Sequence, residues 1–192
     1  IMLGIKKAVD RLYQAIVNGE VIGLETDHDC DGQTSHAIFH EALTKIFNHP
    51  KGKIRSYIGH RMKEGYGLSE ALMNRILLDD VLTSLIITAD NGSTDEPRIA
   101  VLKQNGIETI VTDHHGIPPE GTPKSAVAVL NPTQEDCNYP DKSIAGCMVA
   151  WLFMAALRRK FIENNQPLST SYGLSNLFDL VAIGTVADCV SM

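Results

Sequence analysis

Two apolar rhythms alternate along the chain. Ile5, Ala8, Val9, Leu12 and Ile16 recur at the three- and four-residue spacing of one helical face, and Asn18-Gly19 supplies a stop. The run VIGLET (21–26) is continuous instead of periodic and predicts a buried strand. Ile38, Phe39, Ala42, Leu43, Ile46 and Phe47 return to the helical spacing, and KIRSYIG (53–59) predicts the next strand. The alternation continues with a helix over LSEALMNRILL (68–78), a strand SLIITAD (84–90) and a helix DEPRIAVLKQNG (95–106) opened by Pro97. A strand IETIVTD (107–113) and a short strand AVAVLN (126–131) follow. The last quarter, from SIAGCMVAWLFMAALRRKF to LSNLFDLVAIGTVAD, predicts helix.

Unbroken apolar strands separated by helices imply an α/β fold, a mostly parallel sheet covered by helices on both faces, with a helical C-terminal part. At 192 residues and 44% hydrophobic the chain has enough apolar content for one core, so a single domain over 1–192 is expected. No apolar run reaches membrane-spanning length, and the lysines near the N-terminus lie inside an amphipathic pattern, not ahead of an apolar block, so no membrane association is expected. Cys30, Cys137, Cys147 and Cys189 form no C-x-x-C pair, which points to a reduced, cytoplasmic setting. A chain that opens on Ile and stops at VADCVSM is expected to be part of a longer protein.

Candidate chemistry collects at strand ends. In open α/β sheets ligands bind beyond the carboxyl ends of the strands. There the sequence places Asp27-x-Asp29-x-Asp31 after VIGLET, Asp90-Asn91-Gly92 after LIITA, and Asp113-His114-His115 after TIVT. The first cluster competes with a calcium loop, since D-x-D-x-D-G opens an EF-hand. However, its twelfth position is Ile38, not Glu, and a strand precedes it instead of a helix. A solvated acidic turn explains the cluster more blandly, and Asp-Asn-Gly alone is usually a turn.

Taken together, three strand ends supply more carboxylates than one ion needs, with two imidazoles. Oxygen-rich donors with a histidine suit Mn²⁺ or Mg²⁺ better than zinc, and two ions relieve the mutual repulsion of the carboxylates. The formal net charge of -6 excludes a protein that grips nucleic acid by charge alone, so a polyanionic substrate needs such cations.

DHDCDG (27–32), TADNGS (88–93), VTDHHG (111–116) and GTVADCV (184–190), in this order, resemble the four metal-site motifs of the DHH phosphoesterase superfamily. RMKEGYGLS (61–69) and LNPTQEDCNYPDKSIAG (130–146) resemble segments of its RecJ-like single-stranded-DNA exonucleases. The resemblance implies that Asp29, Asp31, Asp90, His114 and Asp188 hold two Mn²⁺ or Mg²⁺ ions, with Asp90 bridging and Asp27 a ligand or close neighbour. It implies that Asp113 orients the histidine pair and that His115 contacts the scissile phosphate. Arg61 and Tyr66 suit a phosphate and an unstacked base, and Gly146, opening a helix, offers backbone N–H groups to a phosphate or permits close packing. His28 departs from the aromatic residue common there, as does Cys30 from an aliphatic or small one.

The activity this implies is 5′-to-3′ hydrolysis of single-stranded DNA to mononucleotides by a metal-activated water. The alternatives are a relative acting on oligoribonucleotides, cyclic dinucleotides or pyrophosphate, or a non-catalytic replication scaffold. RecJ-like proteins also carry a second, DHHA1-type domain with a glycine-rich phosphate-binding motif, and usually an oligonucleotide-binding fold. Neither has a counterpart here, so the expected partners are single-stranded DNA, that C-terminal domain and a single-stranded-DNA-binding protein.

Overall fold

A computed structural model describes residues 1–190. Its five strands are β1 (Ile22–Thr26), β2 (Ile54–Ile58), β3 (Leu85–Ala89), β4 (Glu108–Thr112) and β5 (Ala128–Leu130), in sheet order β2-β1-β3-β4-β5. All four pairings are parallel, so the sheet is wholly parallel. The chain winds outward from β1 in both directions, which opens a crevice between the β1 and β3 ends.

The apolar strands show the burial that their runs predicted, whereas β2, at the sheet edge, buries only Tyr57 fully. β1, β3 and β5 are buried at every position, and alternate residues serve opposite faces. On one face Ile22, Leu24, Leu85, Ile87, Ile110 and Leu130 pack with helices α1 (Ile5–Val17), α2 (Cys30–Glu41), α6 (Gly146–Glu163) and α7 (Phe178–Ala187). On the other, Tyr57, Ile86, Val111 and Val129 pack with α4 (Glu70–Leu77) and α5 (Glu96–Gln104). The helical last quarter therefore completes one layer of the sandwich. Gly23 is what brings the second face together at β1: a Cβ there would lie 2.4 Å from Ile86 and 2.8 Å from Tyr57.

Two elements differ from the sequence reading. The second helix starts at Cys30, well before Ile38, because Asp29 caps it: its carboxylate accepts from the Gly32 N–H at 2.9 Å. The first turn is polar and invisible to an apolar count. Beyond Glu41 the helix continues as a wider turn over Ala42–Ile46. The segment after β2 also forms a one-turn helix, α3 (Arg61–Glu64). No helix among the described residues is long and apolar enough to cross a membrane.

Register decides what happens at the strand ends. Thr26, Ala89, Thr112 and Leu130 are successive partners across the sheet. The residues that follow them, Asp27, Asp90, Asp113 and Asn131, thus stand in a row. The row is tied by backbone bonds from Asp27 N–H to Ala89 (3.2 Å), Asp90 N–H to Thr112 (3.0 Å) and Asp113 N–H to Leu130 (3.0 Å).

Candidate functional site

Six expected metal ligands converge beyond this row. Donor atoms of Asp27, Asp29 and Asp90 lie within 4.8 Å of one another, as do those of Asp31, His114 and Asp188. A third group, Asp90 with His114 and His115, joins the two. Asp90 and His114 thus sit where the two halves meet. This division also disposes of the calcium-loop reading, since Asp31 faces a different set of donors from Asp27 and Asp29 and belongs to a helical turn.

Each ligand is placed by a local device. Asp90 takes a left-handed backbone, φ 64°, which an Asp tolerates better than most residues and which turns the chain sharply out of β3. Gly92 follows at φ 107°, and a Cβ there would meet Thr88 Oγ1 at 2.6 Å. Asp31 Oδ2 accepts from the Gly146 N–H at 2.6 Å and Oδ1 from the Cys147 N–H at 2.9 Å. The start of α6 therefore grips a carboxylate of this chain. This corrects the expectation that Gly146 offers its N–H to a substrate phosphate: Asp31 already takes it. Close packing is what Gly146 permits, since a Cβ would stand 2.9 Å from both Asp31 and Asp90.

Asp188 caps the end of α7, and its Oδ2 lies 3.6 Å from His114 Nε2. The helix carrying it comes close because residue 184 is glycine: a Cβ would lie 2.4 Å from Thr34 Oγ1, 2.6 Å from Cys147 Sγ and 2.8 Å from Asp31 Oδ1. Gly184→Ala is expected to lower stability by about 1–3 kcal/mol, as overpacking does. For a domain of this size that is a fall in melting temperature of roughly 2–12 °C. A melting curve unchanged from the parent overturns this account of the α2–α7 contact.

Asp113 is buried and fully engaged. It accepts from the backbone N–H groups of Ser93 (2.9 Å), His114 (2.7 Å) and His115 (3.1 Å), and lies 2.8 Å from His115 Nδ1. Burial alone would raise its pKa, but the bonds from His115 and Ser93 prevail and hold it well below the usual carboxylate range. Its hydrogen bond in turn raises the His115 pKa. His115 is 58% exposed, and with Nδ1 engaged its Nε2 is the free nitrogen. The backbone behind it is pinned as well, because the His115 carbonyl accepts from Asn131 Nδ2 at 2.9 Å and Thr133 Oγ1 at 3.0 Å. Neither residue was singled out in the sequence, and nothing in their spacing marks them.

The electrostatics fit a cationic occupant. Burial, with the nearby charges of Asp31 and Asp29, pushes the Asp90 carboxyl up to about 10. Asp188 is raised too, by burial first. His114 Nε2 and Asp90 Oδ1 lie 3.1 Å apart, yet both are buried without a hydrogen-bond partner. The short distance records proximity, whereas the missing bond records direction, and direction decides here: neither atom is a hydrogen-bond partner of the other. Buried polar atoms left so are costly in the absence of an occupant. The donor set, carboxylates plus one imidazole, is that of hard divalent ions such as Mn²⁺ or Mg²⁺.

Beside the centre lies a cleft of about 220 Å³, lined by Asp27, Tyr66, Gly67, Asn91, Asp113 and His115, among others. A larger, mostly apolar hollow of about 560 Å³ runs along Met2 to Lys7 and contains none of these groups, so size does not mark the site. Tyr66 is 64% exposed at the mouth of the smaller cleft. Its ring lies 5.5 Å from that of His28 and 4.6 Å beneath the Arg61 guanidinium, which also donates to the Tyr66 hydroxyl.

The profile of the DHH family's N-terminal domain matches residues 21–185. The chain belongs to the DHH family. Along its whole length this DHH chain is 37% identical to the single-stranded-DNA-specific exonuclease RecJ of Haemophilus influenzae, of which it covers 32%. To the RecJ of Bacillus subtilis it is 36% identical, covering 22% of that protein. It therefore spans about a third or less of the length of these relatives. Its fold matches a crystal structure of exonuclease RecJ bound to manganese with a TM-score of 0.79 and 29% identity, over 99% of this chain and 44% of that one. A RecJ structure in complex with Mn²⁺ from Thermus thermophilus matches at 0.71 and 28%, over 97% of this chain and 24% of that one.

Proposed function

We propose that this DHH domain is the metal-binding catalytic part of a RecJ-type exonuclease that hydrolyses single-stranded DNA from the 5′ end and releases mononucleotides. The observation that carries the reading is the pair of unsatisfied buried atoms, Asp90 Oδ1 and His114 Nε2, at the meeting point of two carboxylate clusters. Support for the substrate comes from the RecJ relatives, which are single-stranded-DNA-specific.

Asp27, Asp29, Asp31, Asp90, His114 and Asp188 would hold two Mn²⁺ or Mg²⁺ ions, which would supply Lewis acidity for an attacking water and neutralise phosphate charge. The protein's own groups do the rest. Asp113, fixed by three N–H donors, holds the His115 ring through Nδ1 at the cleft lining, which leaves Nε2 for a phosphate oxygen. Arg61 presents a guanidinium to a backbone phosphate, and Tyr66 presents a ring on which a terminal base stacks. Gly146 serves the centre indirectly by holding Asp31.

With a net charge of -6 the domain binds DNA weakly by itself, so the partners on this reading are the remainder of a longer protein and a single-stranded-DNA-binding protein, in the cytoplasm. The test is hydrolysis of 5′-phosphorylated single-stranded DNA, a dinucleotide and pyrophosphate, each with Mn²⁺ and with chelator. Mn²⁺-dependent release of mononucleotides from the DNA is expected. Turnover of the small substrates alone moves the assignment to another DHH activity. Mn²⁺ at a hundredfold excess over Kd is expected to stabilise the chain by about 2.7 kcal/mol for each ion bound, and no change in melting removes the metal centre from the proposal.

A further inference from the structure

The segment that carries Tyr66 is anchored in a way that the chemistry above leaves unused. Tyr66 stands between two glycines with left-handed backbones, Gly65 at φ 88° and Gly67 at φ 58°. Glycine, without a Cβ, adopts such conformations at no steric cost, so the two glycines turn the chain sharply on either side of Tyr66. On the N-terminal side the segment is held by Glu64, which accepts from the His60 N–H at 2.7 Å and pairs with Arg75 at 3.2 Å. On the C-terminal side the holder is an ion pair at the start of α5 between the buried Asp95 and the half-buried Arg98. Asp95 Oδ2 accepts from the Leu68 N–H at 3.2 Å, and Arg98 Nε donates to the Leu68 carbonyl at 3.1 Å.

Both backbone groups of one residue are thus bound by two side chains that also bind each other. Leu68 itself is wholly buried in the α4–α5 core. Gly67 packs against the same carboxylate: a Cβ there would lie 3.3 Å from Asp95 Oδ2. Asp95 belongs to the loop that leaves β3 through Asp90, and it lines the cleft with Tyr66 and Gly67. A rigid link therefore runs from the candidate metal loop to the aromatic ring at the cleft mouth.

We propose that Asp95 and Arg98 are positioning residues: by clamping Leu68 they set Tyr66 at the height over the metal centre that a terminal nucleotide requires, and so govern affinity for a single-stranded end. The proposal rests on the substrate reading above. Arginine is suited to the task, since its fork serves a carboxylate and a carbonyl at once, which a lysine ammonium on a flexible stem cannot hold in fixed geometry.

Arg98→Lys keeps the charge opposite Asp95 while losing the fork, so it preserves the fold better than truncation, which strands a buried carboxylate. Arg98→Gln serves as a second variant. Two measurements are made on the parent, each variant, Tyr66→Ala and the Arg98→Lys, Tyr66→Ala double variant. The first is the Kd of a 5′-phosphorylated phosphorothioate oligothymidylate with Mn²⁺, by fluorescence anisotropy. The second is amide hydrogen exchange of residues 66–69 against Ile86 and Ile87 of β3.

The expected results are exchange at Leu68 at least about tenfold faster with β3 unchanged, and a Kd about threefold to tenfold weaker in Arg98→Lys. The Kd effect vanishes in the Tyr66→Ala background, as it does when one residue acts through another. Unchanged Leu68 exchange overturns the clamp. Accelerated exchange with a Kd penalty that persists without Tyr66 overturns the positioning role. The parent domain is expected to bind weakly, so the titration runs to high oligonucleotide concentration; no saturable Mn²⁺-dependent binding even there defeats the substrate reading and is seen in the parent, whereas failure of the clamp is seen only in the variants.

Discussion

On the proposed reading, Asp90→Asn is expected to cut metal-dependent hydrolysis by about 10³-fold or more while making the metal-free chain more stable. The two effects share one cause. Asp90 is 1% exposed, close to Asp31 and Asp29, and its carboxyl is pushed up to about 10 by burial and by their charges. Losing a ligand that joins both carboxylate clusters removes several kcal/mol of charge stabilisation, a rate loss of about 10³-fold or more. In metal-free protein the same carboxyl is a liability. A group whose folded pKa is raised contributes its stability below the unfolded value near 4 and loses it as pH climbs toward the folded value. An amide of equal size has no such dependence, so the advantage of Asp90→Asn grows across that window. At neutral pH a gain on the order of 1–3 kcal/mol is expected, the scale of a relieved buried polar group. Melting curves in chelator at pH 5 and pH 8 measure it. A variant less stable than the parent at both pH values refutes the idea that function here is held against stability.

On the proposed reading, His115→Ala is expected to lower turnover by about 10²- to 10⁴-fold and to leave Mn²⁺ affinity within a fewfold of the parent, a range set by positioned acid–base and phosphate contacts. The separation follows from geometry. His115 Nδ1 is taken by Asp113 at 2.8 Å and the ring is 58% exposed, whereas His114 is buried among Asp90, Asp31 and Asp188. Adjacent histidines therefore face different tasks. Calorimetry with Mn²⁺ on both single variants decides between them: His114→Ala loses affinity and His115→Ala does not. Equal losses of affinity put His115 among the ligands and remove it from the substrate side.

The architecture was largely legible in the sequence because its inner strands β1, β3 and most of β4 are buried on both faces and its helices on one, and the two rhythms differ in kind. All five strands lie within the segments predicted as strands, four of them from apolar runs and β2 from the alternating KIRSYIG. What escaped was structure made by polar residues. The first turn of α2 rests on the Asp29 cap, and α3 holds none of the periodicity that reveals longer helices. The motif residues were legible as a group because unusual donors recur at strand ends. Gly146 was ambiguous, and the structure gives its N–H to Asp31.

By itself, then, the sequence determined the parallel α/β fold and named the donors at three strand ends, since both depend on local pattern and on residue type. Tertiary structure alone decided how those donors divide. The register aligns Asp27, Asp90, Asp113 and Asn131, and Gly146 and Gly184 let two helices close on Asp31. The loop after β4 turns His114 inward and His115 out. Such outcomes depend on distances between residues far apart in the chain, where a missing Cβ on one element sets the position of a carboxylate on another.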